Sequence, residues 1–266
     1  MNLALNTLAK KMLKRVDIKI MRYRRFQQLE EDSRASRFIA LFTELQERHK
    51  EQLLEMWRRS NSQLGQDLFV LSELGFKTNG YFVEFGAADG VDLSNTCLLE
   101  KEFGWNGILA EPAQRWHKDL KKNRGCFIET DCVWRESNAT LSFNEVERGK
   151  LSTIDSYSLS DNNAPLREKG RKYCVNTISL VDLLDKYNAP RTIDYLSIDT
   201  EGSEFEILAN FDFTKYRFGV ITCEHNHAPQ REKIFSLLTA NGYVRKFEGV
   251  SSVDDWYVNA GWPRPI

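Results

Sequence analysis

The chain has 266 residues, 41% hydrophobic and 28% charged, which is enough for one large α/β domain plus an appendage. A net charge of −1 excludes bulk electrostatic binding to nucleic acid, and no run nears the roughly 20 apolar residues of a membrane span. Residues 1–60 nonetheless hold 14 Lys/Arg against 8 Asp/Glu, so the near-neutral total hides a basic arm on an acidic body.

Residues 3–29 predict a helix, because Leu5, Leu8, Met12, Val16, Ile20 and Tyr23 recur at three- and four-residue steps among Lys and Arg. A second helix is predicted over 34–59, carrying Phe38, Leu41, Phe42, Leu45, Leu53, Met56 and Trp57. Residues 1–60 are therefore read as a basic helical extension. It could lie on an anionic membrane surface, pair with a second copy in a homo-oligomer, or pack as a solvated extension. Lys10 and Lys11 interrupt any secretory-signal core, and five cysteines without a Cys-x-x-Cys pair suit a reducing compartment. The expected location is the cytoplasm, with the arm offering contact to the inner membrane face.

Residues 61–266 form the expected catalytic domain. A helix over 62–76 leads into alternating strands and helices: 81–86, 94–103, 107–111, 113–123 and 125–130. An extended excursion follows, with Ala139–Val146 alternating and Tyr173–Ile178 extended, and 149–170 is read as a polar loop over the site. The rhythm resumes with helix 180–187, strand 193–199, helix 203–210, strand 217–224, helix 229–240 and strands 242–248 and 255–260. This specifies a Rossmann-like, doubly wound, mostly parallel seven-stranded sheet whose last strand is antiparallel.

The apolar run Tyr81–Phe85 carries Glu84 near its end and passes into Gly86, Ala87, Ala88, Asp89 and Gly90. Small residues there let a ligand approach the backbone. About 25 residues later Gly107–Ala110 ends in Glu111, placed to hold ribose hydroxyls, and Asp131 follows the third strand, placed for an adenine amino group. The spacing Gly86-x-x-x-Gly90 is not the dinucleotide pattern, which counts against an NAD-type oxidoreductase and favours S-adenosylmethionine. A second acid group, Asp199 and Glu201, ends the strand 193–199, with Ser203 and Glu206 at capping-box spacing just beyond. A third, Glu224 with His225 and His227, ends the next strand. Asp199 and Glu224 could hold Mg²⁺ or Mn²⁺, and a carboxylate or His225 could take a proton. Tyr157 and Trp256 are candidate stacking faces for a sugar.

Several motifs in order resemble the FkbM-type methyltransferases. They are Ser62-Gln63-x-x-Gln66-Asp67, Phe82–Gly90, Ser94-Asn95-Thr96 with Leu99-Glu100-Lys101, Gly104-Trp105-x-Gly107 with Glu111-Pro112, and Ile198-Asp199-x-Glu201-Gly202-x-Glu204. The resemblance covers about residues 62–260 and implies an S-adenosylmethionine-dependent O-methyltransferase. Its acceptor would be a hydroxyl of a glycan or of a small-molecule natural product. By position it implies that Glu84, which would face the methionine end, Gly86 and Glu111 bind cofactor and that the Asp199/Glu201 strand end faces the substrate. With the strand-end reading, the expected cofactor set is Gln66, Glu84, Gly86, Ala88, Gly90, Asn95, Glu111 and Asp131, and the expected catalytic set is Asp199, Glu201, Glu224 and His225. A catalytically silent binding protein on the same fold is the alternative from another class.

Overall fold

The computed structural model describes residues 32–33, 35–147, 150–160 and 163–263. The chain divides into two compact units, residues 1–43 and 44–266. The predicted helix 3–29, and with it most of the basic arm, lies outside the described residues. Helix 34–59 is not continuous. Residues 35–44 are helical (α1), and Lys50–Met56 forms α2 after a 3₁₀ turn at Glu47–His49. Gln46 adopts φ −60° and ψ 130°, an extended conformation that no helix passes through.

The remaining elements, in chain order, are α3 (Gln66–Glu73), β1 (Tyr81–Phe85), α4 (Cys97–Phe103), β2 (Asn106–Ala110), α5 (His117–Asn123), β3 (Phe127–Glu129), β4 (Cys132–Trp134), β5 (Thr140–Glu145) and β6 (Thr153–Ile154). They continue with α6 (Ala164–Arg167), β7 (Arg171–Ser179), α7 (Leu180–Lys186), β8 (Thr192–Ile198), α8 (Glu204–Ala209), β9 (Arg217–Glu224), α9 (Arg231–Ala240), β10 (Tyr243–Lys246) and β11 (Asp254–Asn259). Seven strands form one sheet in the order β10-β11-β9-β8-β1-β2-β3. All pairings are parallel except those of β11, which runs antiparallel to both β9 and β10. This is the mostly parallel α/β sheet that the sequence rhythm specifies. The strand order reverses between β1 and β8, so the crevice beyond their carboxyl ends is where such a sheet takes ligands.

Central strands of a covered parallel sheet are apolar along their whole length. In β8 and β9, Ile193, Leu196, Ile198, Phe218, Ile221 and Cys223 are buried in the main core, which continues through Val83 and Phe85 of β1. Trp256 on β11 is also a core residue. It is fully buried and stacks on Phe69 at 4.9 Å, so no sugar reaches its face.

The excursion between β3 and α7 is a second sheet, ordered β4-β7-β5-β6, and the segment read as a polar loop, 149–170, contains β6 and α6. β4 pairs parallel with the end of β7, Cys132 opposite Thr177. Three-residue strands such as β4 are too short to show a period, which is why only β5 and β7 are legible in the sequence.

Candidate functional site

The turn after β1 is built to let three chain segments meet. Gly86 has φ 72°, and a Cβ there would lie 1.9 Å from the Asp199 carbonyl oxygen. Only glycine permits the ends of β1 and β8 to approach this closely. Ala88 follows at φ 47°, and its N–H donates to Glu111 Oε2 at 2.7 Å. The Ala113 N–H donates to Glu111 Oε1, also at 2.7 Å. Glu111 thereby ties the loop after β2 to the loop after β1. Burial pushes its carboxyl up to about 7, against the pull of those two donors.

Glu84 has a different task. Its carboxylate accepts from the Asn95 N–H at 2.8 Å, the Ser94 hydroxyl at 2.9 Å and the Thr96 hydroxyl. The buried Arg124 guanidinium lies 3.8 Å away. Arg124 also donates to the Gly90 carbonyl at 2.9 Å, Ser94 Oγ at 3.1 Å, Thr96 Oγ1 at 2.9 Å and Glu100 at 2.8 Å. Arg124 thus joins the Gly90 carbonyl, Ser94, Thr96 and the Glu84 carboxylate that holds them. Arg124 is not readable in the sequence, because it follows a helix that already carries Lys118, Lys121 and Lys122.

Two adjoining hollows open above these loops. One is mainly apolar and is lined by Phe85, Ala110, Glu111, Pro112, Cys132, Val133, Phe143 and Ile154. The second sheet supplies its far wall through β4, β5 and β6. The other is a polar cleft lined by Gln66, Gly86, Ala88, Ser94, Asn95, Asp199, Glu201, Glu224 and Asn226. Gly86, Lys150, Asp199 and Glu201 belong to both.

Three acids meet at that junction. Asp199, Glu201 and Glu224 can each bring an oxygen within 4.8 Å of the others. Glu201 sits at φ 59° and accepts from Arg167 Nη2 at 2.6 Å, a contact between two buried side chains. Asp199 and Glu224 have no ion-pair partner among the described residues. Burial, and then the Asp254 carboxylate, push Asp199 up to about 7. Burial, and then Asp199, push Glu224 well above the usual carboxylate range. Asp254 lies opposite Glu224 in the β9–β11 register and is itself raised to about 6 by burial.

The loop 199–203 is held by Glu204. Its Oε1 accepts from the Thr200 N–H, the Thr200 hydroxyl and the Gly202 N–H at 2.9–3.0 Å. The expected capping box does not form: Ser203 makes no side-chain cap and donates instead to Thr200 Oγ1 at 2.8 Å.

Of the sequence-predicted residues, Gln66, Gly86, Ala88, Asn95, Glu111, Asp199, Glu201 and Glu224 line one hollow or the other. Gln66 is oriented by donating to Asp254 at 2.7 Å. Gly90, at φ 78°, lies over Leu120 and Arg124 and shapes the turn from below. Asp131 is partly buried and is not among the lining residues, whereas its neighbours Cys132 and Val133 are. His225 is turned away from the cleft. It is buried, its Nδ1 accepts from the His227 N–H at 2.9 Å, and its Nε2 lies 3.8 Å from Asp255 behind β11. Successive side chains on an extended segment face opposite ways, so Glu224 and its neighbour do not share the crevice. Burial lowers the pKa of His225.

A small-residue turn, a buried acid on the second strand and an apolar slot beside a polar cleft make a donor set that fits a nucleoside carrying a zwitterionic tail. Comparison with known proteins agrees on the class. A family model described as the Methyltransferase FkbM domain matches residues 84–246. Solved structures similar to this chain include a precorrin-6y C5,15-methyltransferase from Geobacter metallireducens, at 12% identity over 72% of this chain and 86% of that one, with a TM-score of 0.37. A human methyltransferase 10 domain containing protein is similar at 14% identity over 73% and 79%, TM-score 0.38. A TehB-like S-adenosylmethionine-dependent methyltransferase from Corynebacterium glutamicum is similar at 8% identity over 80% and 94%, TM-score 0.35. No curated protein matches the chain. Among the described residues, no helix is long and apolar enough to cross a membrane.

Proposed function

The chain belongs to the FkbM methyltransferase family, and from that premise we propose that it methylates a hydroxyl oxygen of a saccharide. The observation that carries this reading is the pair Asp199, half-buried, and Glu224, buried, neither with an ion-pair partner among the described residues, where the apolar cavity meets the polar cleft. When bound, S-adenosylmethionine supplies an electrophilic methyl group. The protein has to hold it, hold the acceptor and take one proton.

Glu111 is the residue for the ribose, since each of its oxygens already accepts one N–H and keeps a second lone pair for a hydroxyl. Cys132, Val133, Phe143 and Ile154 form an apolar slot for the base. Gly86, Ala88, Asn95 and Gln66 face the side where the methionine portion belongs. On the acceptor side, Asp199 and Glu224 hold the hydroxyl, and the ionised member of the pair takes its proton. A carboxyl pushed up to about 7 is a competent general base near neutral pH. Holding the reactants in line supplies about 7–11 kcal/mol of the barrier, so little further chemistry is required. Glutamine and asparagine side chains lining the cleft (Gln63, Asn163 and Asn226) suit a polyhydroxylated acceptor.

A second reading rests on the convergence of Asp199, Glu201 and Glu224. An all-oxygen donor set suits Mg²⁺ or Mn²⁺, which Asp199 and Glu224 would hold and which would lower the pKa of the acceptor hydroxyl. Transfer of radiolabelled methyl groups to a panel of glycans and hydroxylated small molecules, with and without a chelator, tests both readings. Turnover on a saccharide that survives chelation supports the carboxylate base. Turnover that chelation abolishes and Mg²⁺ or Mn²⁺ restores supports the metal. Turnover only on non-saccharide acceptors contradicts the saccharide assignment.

A further inference from the structure

The loop after β2 starts at Glu111, and the next three backbone N–H groups in it are each taken by a side-chain oxygen. The Ala113 N–H donates to Glu111 Oε1 at 2.7 Å, the Gln114 N–H to the Tyr173 hydroxyl at 3.0 Å and the Arg115 N–H to Glu145 Oε2 at 3.2 Å. Pro112 has no N–H to place. The first of these acceptors is the carboxylate assigned to the ribose. The other two stand on the second sheet, Glu145 at the end of β5 and Tyr173 on β7.

Tyr173 and Glu145 form one unit. The phenol donates to Glu145 Oε2 at 2.8 Å, and burial, together with that carboxylate, keeps its pKa above the usual range, so it stays a donor. Arg171 completes the unit: it donates to Glu145 Oε1 at 3.2 Å and its guanidinium lies 4.7 Å from the centre of the Tyr173 ring. In the β5–β7 register Phe143 is opposite Tyr173 and Glu145 is opposite Arg171, so all four side chains stand on one face of the sheet. Phe143 on that face lines the apolar cavity. The loop after β2 rests on the same face, since Ala113 is buried with Cys132, Trp134, Phe143, Ile154 and Val175. Gln114 and Arg115 are exposed, so water can serve their N–H groups if the unit is removed. What the unit supplies is the place of the loop, and with it the Ala113 N–H that aims Glu111.

We propose that Tyr173 and Glu145 are positioning residues for the cofactor's ribose, fixing from the second sheet the loop that carries Glu111 and acting through that carboxylate. This rests on the cofactor reading given above. One face of the second sheet then does two things at once: it walls the slot for the base and sets the acid that holds the sugar. The distance between base and ribose contacts is thereby fixed by a single β5–β7 pairing.

A double-mutant cycle on the full chain tests this, with the affinity for S-adenosylhomocysteine measured by calorimetry in the wild type, Y173F, E145A, E111Q and the double variants Y173F/E111Q and E145A/E111Q. Work at pH 8 keeps Glu111, whose pKa stands at about 7, largely ionised, so loss of the Glu145 charge does not change its protonation. Y173F and E145A are each expected to bind about three- to tenfold more weakly than the wild type, the size of one hydrogen bond. In the E111Q background the same substitutions are expected to change affinity by less than about twofold, because the group they act through is already gone. A merely structural role would weaken binding equally in both backgrounds, and that additivity overturns the proposal. Wild-type affinity in Y173F and E145A overturns it as well. Should Y173F fail to fold, E145A decides by the same comparison. Failure of the wild-type chain to bind S-adenosylhomocysteine, or equal binding by E111Q, overturns the cofactor reading itself, and the positioning role with it.

Discussion

At the end of β1, Glu84 accepts from Ser94, Asn95 and Thr96, with Arg124 beside it. At the ends of β8 and β9, Asp199 and Glu224 meet without an ion-pair partner among the described residues, and burial pushes both above the usual carboxylate range. The first region is electrostatically closed. Its carboxylate is fully used in shaping the loop, and removing any partner harms the fold. The second is electrostatically open. It costs the free protein stability and gains only when a proton, a cation or a hydroxyl donor arrives. An acid pair held in the crevice without a countercharge is the signature of a site, and a buried acid with four partners is the signature of a frame.

Substitutions in the closed region are expected to act on folding. Arg124→Ala leaves Glu84 without its cation and Glu100 with only the exposed Lys101, and should cost about 3–5 kcal/mol of stability, read as a large fall in the urea midpoint. Gly86→Ala drives a Cβ into the Asp199 carbonyl at a positive φ and should cost about 2–4 kcal/mol by the same measurement. A near-wild-type midpoint for either variant would break the contrast at the β1 end.

Substitutions in the open region are expected to act on turnover. Asp199→Asn or Glu224→Gln should lower the methylation rate by about 10²-fold or more while the protein stays folded. The pKa of Asp199 is raised from 3.8 to about 7 on folding, so the wild type loses stability as pH rises through that window. The melting temperature of Asp199→Asn should therefore gain on that of the wild type between pH 4 and pH 8. A variant that loses stability along with activity would place Asp199 with the frame rather than the site.

Much of the contrast was legible in the sequence, and its limits are physical. Apolar runs that end in Glu111, Asp199 and Glu224 mark strand ends facing the crevice, because a buried parallel strand is apolar until it leaves the core. Glu84 reads the same way, yet its role is decided by Arg124, 40 residues further on and without a distinguishing pattern. Ser203 and Glu206 satisfy the capping-box spacing, but Glu204 already holds the neighbouring N–H groups, so the local motif yields to the loop it sits in. The wall of the apolar cavity was hidden for a third reason. Cys132 and Val133 become a strand only by pairing with Thr177 and Ile178, a contact that no local window contains.

In the proposed function, Glu111 holds the cofactor's ribose at the carboxyl end of β2. Calorimetric titration of the wild type and Glu111→Gln with S-adenosylhomocysteine, from pH 6 to pH 8, tests it most directly. Hydroxyl donors favour the ionised carboxylate, so binding must pull down a pKa that stands at about 7 in the free protein and release a proton. Wild-type affinity is expected to rise with pH through that value, with buffer-dependent heat. In Glu111→Gln, affinity is expected to be about tenfold weaker at pH 8 and to rise less with pH than in the wild type. Equal affinity in the two proteins, or the same pH profile in both, would contradict it.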